Sequence, residues 1–235
     1  MRRATLVAAI VAILLLALAG PGVRVGLWTF RTGFQLLQWG AYLGIAVAVV
    51  AVIQLLVPSW RGPSALPLVA ALGFGLIAAG VPWFWRHRAE QVPPIHDITT
   101  DVQDPPAFVD VLPLRATAPN PATYGGREVA EQQEKAYPDI RTLELPAMSP
   151  GAAYARALGA VRSEGWDLVS ADSVAGRIEA TATTGWFGFK DDVVVRIRSE
   201  GSGSKVDVRS VSRVGGSDVG TNARRIRAYL QKVKG

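Results

Sequence analysis

Three runs of the chain, 4–19, 41–57 and 66–84, carry no charged side chain and are bounded by Arg, Trp or Pro. Each approaches the roughly 17 to 25 apolar residues that span a bilayer. Segments of that kind cannot share one water-soluble core, so the sequence predicts an all-α membrane region, 1–88, followed by a separately folded remainder. Trp39, Trp60, Trp83 and Trp85 stand at the ends of the second and third runs, where an amphipathic indole prefers the headgroup level. The first run has two readings. Arg2, Arg3, an apolar middle and the small residues "ALAG" at 17–20 also describe a cleavable signal peptide; the retained span is the reading adopted. Between the first two runs, "VRVGLWTFRTGFQLLQ" places Leu27, Phe30, Phe34 and Leu37 on one helical face and Arg24, Arg31, Gln35 and Gln38 on the other. It suits an interfacial helix or a polar-faced extension of the second span.

Charge separates the two halves. Residues 1–90 hold seven Lys or Arg against the single acid Glu90, while 91–235 hold eighteen of each sign, so the net charge of +6 belongs to the membrane half. A nucleic-acid binder concentrates its basic excess in the folded domain, and no nucleic-acid partner is expected. The positive-inside rule leaves orientation open, with Arg2, Arg3 and Arg61 at one side and Arg24, Arg31, Arg86 and Arg88 at the other. Three spans from a cytoplasmic start, or two after signal cleavage, both deliver the remainder to the outer side. Absence of cysteine excludes disulfides, thiolate metal sites and cysteine nucleophiles.

From 89 to 139 the chain reads as a proline-rich strap or linker, with eight prolines in 91–139 and the turn-like pieces "VPP", "DPP", "APNP" and "YGG". Its apolar residues Phe108, Val109, Val111, Leu112 and Leu114 imply that part of it packs on the segment beyond residue 139. That remainder, 140–235, reads as an α+β domain. "IRTLEL" is a short strand, and "SPGAAYARALGAVRSEG" a helix capped by Ser149, with Tyr154, Ala157, Leu158 and Val161 as its buried stripe. Strands near 166–170, 177–183, 192–199 and 205–212 and a helix near 217–233 complete the order β-α-β-β-β-β-α. An antiparallel sheet of about five strands with two helices on one face is the economical architecture.

The last hairpin, taken with "GSGS" at 201–204 as its turn, pairs Glu200 with Lys205. That register sets Arg198 opposite Asp207, Asp192 opposite Arg213, and Arg196 opposite Arg209, an unfavourable row unless an acid such as Glu179 lies beside it. The row has two readings: a solvated charge ladder on an open face, or an anion site at Arg196 and Arg209. Ser210 and Ser212 fall on the helix-bearing face. In "RVGGSDVGTN" the glycines and the helix start after them attract anions, although Ser217 or Asp218 is suited to cap those amides.

The motifs "IHDITTDVQDPPAF", "AYPDI" and "VDVRSVSRVGGSDVGTNARRIR" resemble those of the family called domain of unknown function 1499, over roughly 93–235. The resemblance implies a motif set of His96, Asp97, Thr99, Thr100 and Asp101 in the strap, and Asp207, Arg209, Ser210, Ser212, Arg213, Asp218, Asn222 and Arg225 at the carboxy end. Bacterial members similar to this chain often carry amino-terminal spans, and the family has no established activity. The expected placement is multi-pass in a bacterial inner membrane with a periplasmic domain. The strap acids Asp97 and Asp101 are expected to meet Arg209, Arg213 or Arg225.

No nucleophile elbow, phosphate loop or metal-binding signature occurs, and the spacing of His96, Asp97, Asp101 and Asp104 fits no metal loop. No catalytic residue, metal or cofactor is expected. The sequence reads as a binding or structural module, with membrane lipid and an envelope protein or small anion as partners. An anionic-ligand or lipid-headgroup domain is the alternative, and a hydrolase using His96 the remoter one. The candidate polar cluster is His96, Asp97, Thr99, Thr100, Asp101, Arg196, Arg209, Ser210, Ser212, Arg213, Asp218, Asn222 and Arg225. Trp186, Phe187 and Phe189 share one loop that lines a site, touches the bilayer or caps the core.

Overall fold

A computed structural model describes residues 1–235. The chain divides into two compact units, one of Met1–Arg88 with Gly185–Gly188, the other of Ala89–Thr184 with Phe189–Gly235.

In the helical unit, α1 (Arg2–Arg24), α2 (Phe30–Leu56) and α4 (Leu66–Glu90) are long, with the short α3 (Pro58–Arg61) between the last two. At 1.5 Å per residue all three exceed the roughly 30 Å hydrocarbon thickness, and their mean hydropathies are 2.6, 2.1 and 1.8. They are long and apolar enough to cross a membrane. From Phe30 on, the amphipathic stretch is continuous with the second span, because Thr29 accepts the Thr32 amide and starts one uninterrupted helix, whereas Arg24 ends α1 and Leu27 lies in the turn between them. Small residues let the backbones approach. A Cβ at Gly44 would stand 2.7 Å from the Gly75 carbonyl oxygen, and the reverse holds for Gly75. One buried polar pair, Thr5 with Gln54 at 3.2 Å, joins α1 to α2.

The second unit is a six-stranded antiparallel sheet. Its strands are β1 (Asp97–Thr99), β2 (Leu143–Leu145), β3 (Asp167–Asp172), β4 (Arg177–Thr183), β5 (Lys190–Glu200) and β6 (Gly203–Ser212). Spatial order is β1-β6-β5-β4-β3, with β2 also on β6. The expected α+β architecture is present, with the strap adding β1, a 3-10 turn (Leu112–Arg115) and α5 (Arg127–Ala136). Two helices, α6 (Pro150–Ser163) and α7 (Thr221–Lys234), pack on one face. There Ile178, Ala180, Val193, Val195, Val206 and Val208 meet Ala153, Ala157 and Val161 of α6 and Ala223, Ile226 and Tyr229 of α7. The Tyr229 hydroxyl donates to the Ala157 carbonyl at 2.9 Å and satisfies the one polar atom of that fully buried ring.

Two expectations need correction. The β5–β6 register differs by two residues, because the turn is only Gly201 and Ser202, with Gly201 at φ +57° and Glu200 opposite Gly203. Arg196 therefore faces Asp207, and Arg209 faces Val194. The expected Arg196–Arg209 row does not form, and Arg198 and Asp192 stand opposite Lys205 and Val211 rather than Asp207 and Arg213. A shift of two leaves every side chain on its expected face, which is why the face assignments survive. The second correction concerns that face, which is not open. The strap crosses it, and Phe108 and Val111 pack on Val194 and Val211 as a small second core.

Candidate functional site

Each strand sends alternate side chains to opposite faces, so the charged residues of β4, β5 and β6 form two separate polar clusters. Asp191 and Asp192, adjacent on β5, supply one carboxylate to each.

The first cluster lies beneath the strap. Arg209, buried, donates from Nε and Nη2 to both Asp97 oxygens at 2.9 and 2.7 Å, and also to the carbonyls of Pro106 and Ala122 at 3.2 and 2.7 Å. Its guanidinium lies over the Phe108 and Tyr124 rings, 5.0 and 5.4 Å from their centroids. Burial beside Asp97 pushes the Tyr124 hydroxyl up to about 12. A second node is Asp207, fully buried. It accepts from Thr142 at 2.6 Å, from Thr100 at 3.3 Å, and from Arg196 and Arg198 at 3.0 and 2.7 Å. The same two arginines reach Asp101 at 3.0 and 3.1 Å, and Arg196 reaches Asp104 at 2.9 Å. Burial opposes ionisation of Asp101, but the Asp104 amide, Arg198, the Gln103 amide and Arg196 together hold its carboxyl below the ordinary range. Thr100 fills the gap between the short edge strands, its hydroxyl accepting the Val208 amide at 2.9 Å.

A third node is Asp192. It takes Arg115 at 3.1 Å, Arg213 at 2.9 and 2.7 Å and the Thr181 hydroxyl at 2.8 Å. Burial pushes the Arg115 guanidinium down, against the attraction of Asp192. Glu179, also buried, does not meet Arg196 as expected. It accepts the Val109 and Val111 amides at 2.8 Å each and lies 3.1 Å from Arg177. Six arginines (115, 177, 196, 198, 209, 213) thus face seven carboxylates (97, 101, 104, 110, 179, 192, 207), every one of them in an ion pair. None of these six arginines keeps an uncompensated positive charge to attract an anion.

The second cluster lies on the helix face. Asn222 of α7 accepts from the Ser210 hydroxyl at 2.8 Å and donates to the Ser212 hydroxyl at 3.0 Å and the His96 carbonyl at 2.9 Å. Arg225 binds Asp191 at 2.6 Å and also donates to Ser210 and Asn222. Asp218 accepts the amides of Gly220 and Asn222 at 2.8 and 2.7 Å, so the start of α7 is capped by its own acid. Burial raises the Asp218 pKa, with those two amides opposing.

Of the expected residues, Asp97, Thr100, Asp101, Arg196, Arg209 and Arg213 gather in the first cluster and Ser210, Ser212, Asp218, Asn222 and Arg225 in the second. His96 contributes its carbonyl to the second. Of the expected pairings between strap acids and arginines only Asp97 with Arg209 forms; Asp101 takes Arg196 and Arg198 instead, while Arg213 and Arg225 are held by Asp192 and Asp191. Thr99 sits at the sheet edge, where buried Gln133 of α5 accepts its amide at 2.9 Å and donates to its carbonyl at 2.6 Å, replacing a neighbouring strand. Sequence reasoning missed Gln133, Arg115 and Asp191. Gln133 was legible as the polar residue one turn beyond Val129 on the inward side of "REVAEQQEKA", and Arg115 as the lone basic residue in "VDVLPLRATAP".

A family model described as "Protein of unknown function (DUF1499)" matches residues 97–233, more than half of the chain. The match begins at Asp97, the acid that holds Arg209. A search of curated proteins finds no match.

Proposed function

For a chain that belongs to the DUF1499 family, we propose the role of a membrane-anchored envelope protein whose sheet unit serves as a binding or structural module. Its polar cluster is a clasp for the strap. The single observation that carries this reading is Arg209, with its side chain 3% exposed and its donors directed to Asp97 and two strap carbonyls. A buried guanidinium with four of its five N–H donors so occupied has little left for a ligand. The saturated arginines weigh against an anion or lipid-headgroup site here. Ser210 donates to Asn222 rather than to a histidine, which weighs against a hydrolase built on His96. Three apolar helices support a multi-pass placement, and an odd number of retained spans from a cytoplasmic start puts the sheet unit on the periplasmic side of a bacterial inner membrane.

Native mass spectrometry of the full chain in detergent, compared with Arg209→Met, tests the reading. The expected result is no stoichiometric small anion on either protein, with the strap becoming protease-sensitive in the variant. An anion bound one to one by the wild type and absent from Arg209→Met refutes the clasp.

A further inference from the structure

The helical unit includes Gly185–Gly188, a segment far along the chain from α1 and α2. Its two aromatic side chains rest where those helices carry glycine. A Cβ added at Gly20 of α1 would stand 2.6 Å from Trp186 Cδ1, and one added at Gly33 of α2 would stand 3.0 Å from Phe187 Cε1. Phe187 is 8% exposed and its ring centroid lies 5.2 Å from that of Phe34. Arg24, in the last turn of α1, closes the arrangement by donating to the Gly185 carbonyl, 161 positions away in sequence. Gly188, at φ +68°, lets the backbone pass Arg24, whose Cγ would lie 2.8 Å from a Cβ there. Glycine serves here as a flat backbone surface that an aromatic ring can reach.

We propose that the head of the α1–α2 pair is a socket whose occupant is this chain's own Trp186 and Phe187, and that α1 is therefore a permanent part of the mature protein. The socket is half built from the last turns of α1. Ala19, the residue before the Ala19–Gly20 bond of the signal-like "ALAG", is fully buried inside a continuous helix and its carbonyl accepts the Trp28 indole at 3.0 Å. Cleavage there would leave Gly20 as a frayed terminus and open the site. The spans complete their packing only after the chain has been made through Gly188.

The absence of native cysteine makes a cross-linking test clean. Arg24→Cys with Gly188→Cys in the full chain places the two Cβ positions 3.1 Å apart, so a shift of roughly half an ångström in the loop reaches the roughly 3.5 to 4.5 Å of a disulfide. Mild oxidation in membranes is expected to give an intramolecular bond, read as an intact mass two hydrogens lighter on a chain that retains Met1 or starts at Arg2. Adding Gly20→Leu, which fills the place of the indole, is expected to lower the yield about fivefold or more, an indole removed from packing being a change of several-fold at least. In a cysteine-free background, Trp186→Ala is expected to speed hydrogen exchange of 18–24 about tenfold. A disulfide between two chains would assign the socket to a second copy and overturn the proposal. So would a mature chain beginning at Gly20, or a Trp186→Ala protein with unchanged exchange in 18–24.

Discussion

Replacing Arg209 by Met removes the centre of the strap clasp while keeping an unbranched apolar stem of similar reach. What remains is a buried Asp97 carboxylate without its partner, and two strap carbonyls, Pro106 and Ala122, without their donor. Taking one member from a buried ion pair costs about 3 to 5 kcal/mol, a large part of the roughly 5 to 15 kcal/mol that holds a domain folded. The loss falls first on the strap, whose other attachments to the sheet are the Asp207 and Asp192 nodes, the Glu179 amide bonds and the Phe108–Val111 packing. Hydrogen exchange read by mass spectrometry on the full chain in detergent reports this directly. Peptides within 97–122 are expected to exchange about a hundred- to a few-thousandfold faster, 1.4 kcal/mol being a factor of ten, while peptides within α6 change less. Asp97→Asn in the Arg209→Met background removes the stranded charge and is expected to restore at least half of the lost protection. Less than tenfold acceleration in Arg209→Met, or a double variant as exposed as the two single losses added together, refutes the reasoning.

Gln133→Ala removes both hydrogen bonds that close the edge of β1, at a cost of about 1 to 3 kcal/mol. The Thr99 amide is expected to exchange roughly ten- to a hundredfold faster, and Gln133→Glu, which cannot donate to the Thr99 carbonyl, does not rescue it. Acid should release the strap with a defined sign. Because the folded-state pKa of Asp101 lies below its ordinary 3.8, its stabilisation is complete well above that pH and drains away as pH falls below 3.8 through the folded value. Strap proteolysis by an acid-active protease is expected to rise over that window and to rise less steeply there in Asp101→Asn, in which Asp110, also held below its ordinary value by Ser170 and Arg177, still titrates. Asp218 has the opposite sign. Its raised pKa is a charging cost at neutral pH that falls away in acid, so α7 should be less acid-sensitive than the strap.

Much of this architecture was legible in the sequence alone. Uncharged runs mark the spans, Ser149 before Pro150 marks the start of α6, and alternation in β4, β5 and β6 separates an apolar face from a charged one. The stripe of α6 was rotated slightly: Ala153 and Ala160 are buried, while Tyr154 and Leu158 lie at the edge of the core. The register of the last hairpin was not legible, because "GSGS" serves a two-residue turn as well as a four-residue one and both place the same residues on the same faces. That ambiguity of two residues produced the false Arg196–Arg209 row.

The pairing of particular arginines with particular acids belongs to tertiary structure. With eighteen charges of each sign after residue 90, composition requires near-neutrality but is indifferent to which acid serves which arginine. The path of the strap decides it, laying Asp97 on Arg209 and Asp101 across Arg196 and Arg198, and so turning a face that reads as solvated into a buried one. Local sequence determined the elements and their faces because those depend on side-chain period and capping chemistry within a few residues. The clasp, Gln133 at the sheet edge and the seat of Trp186 depend on contacts between segments 34 to 166 positions apart, and only the folded chain brings such groups within reach.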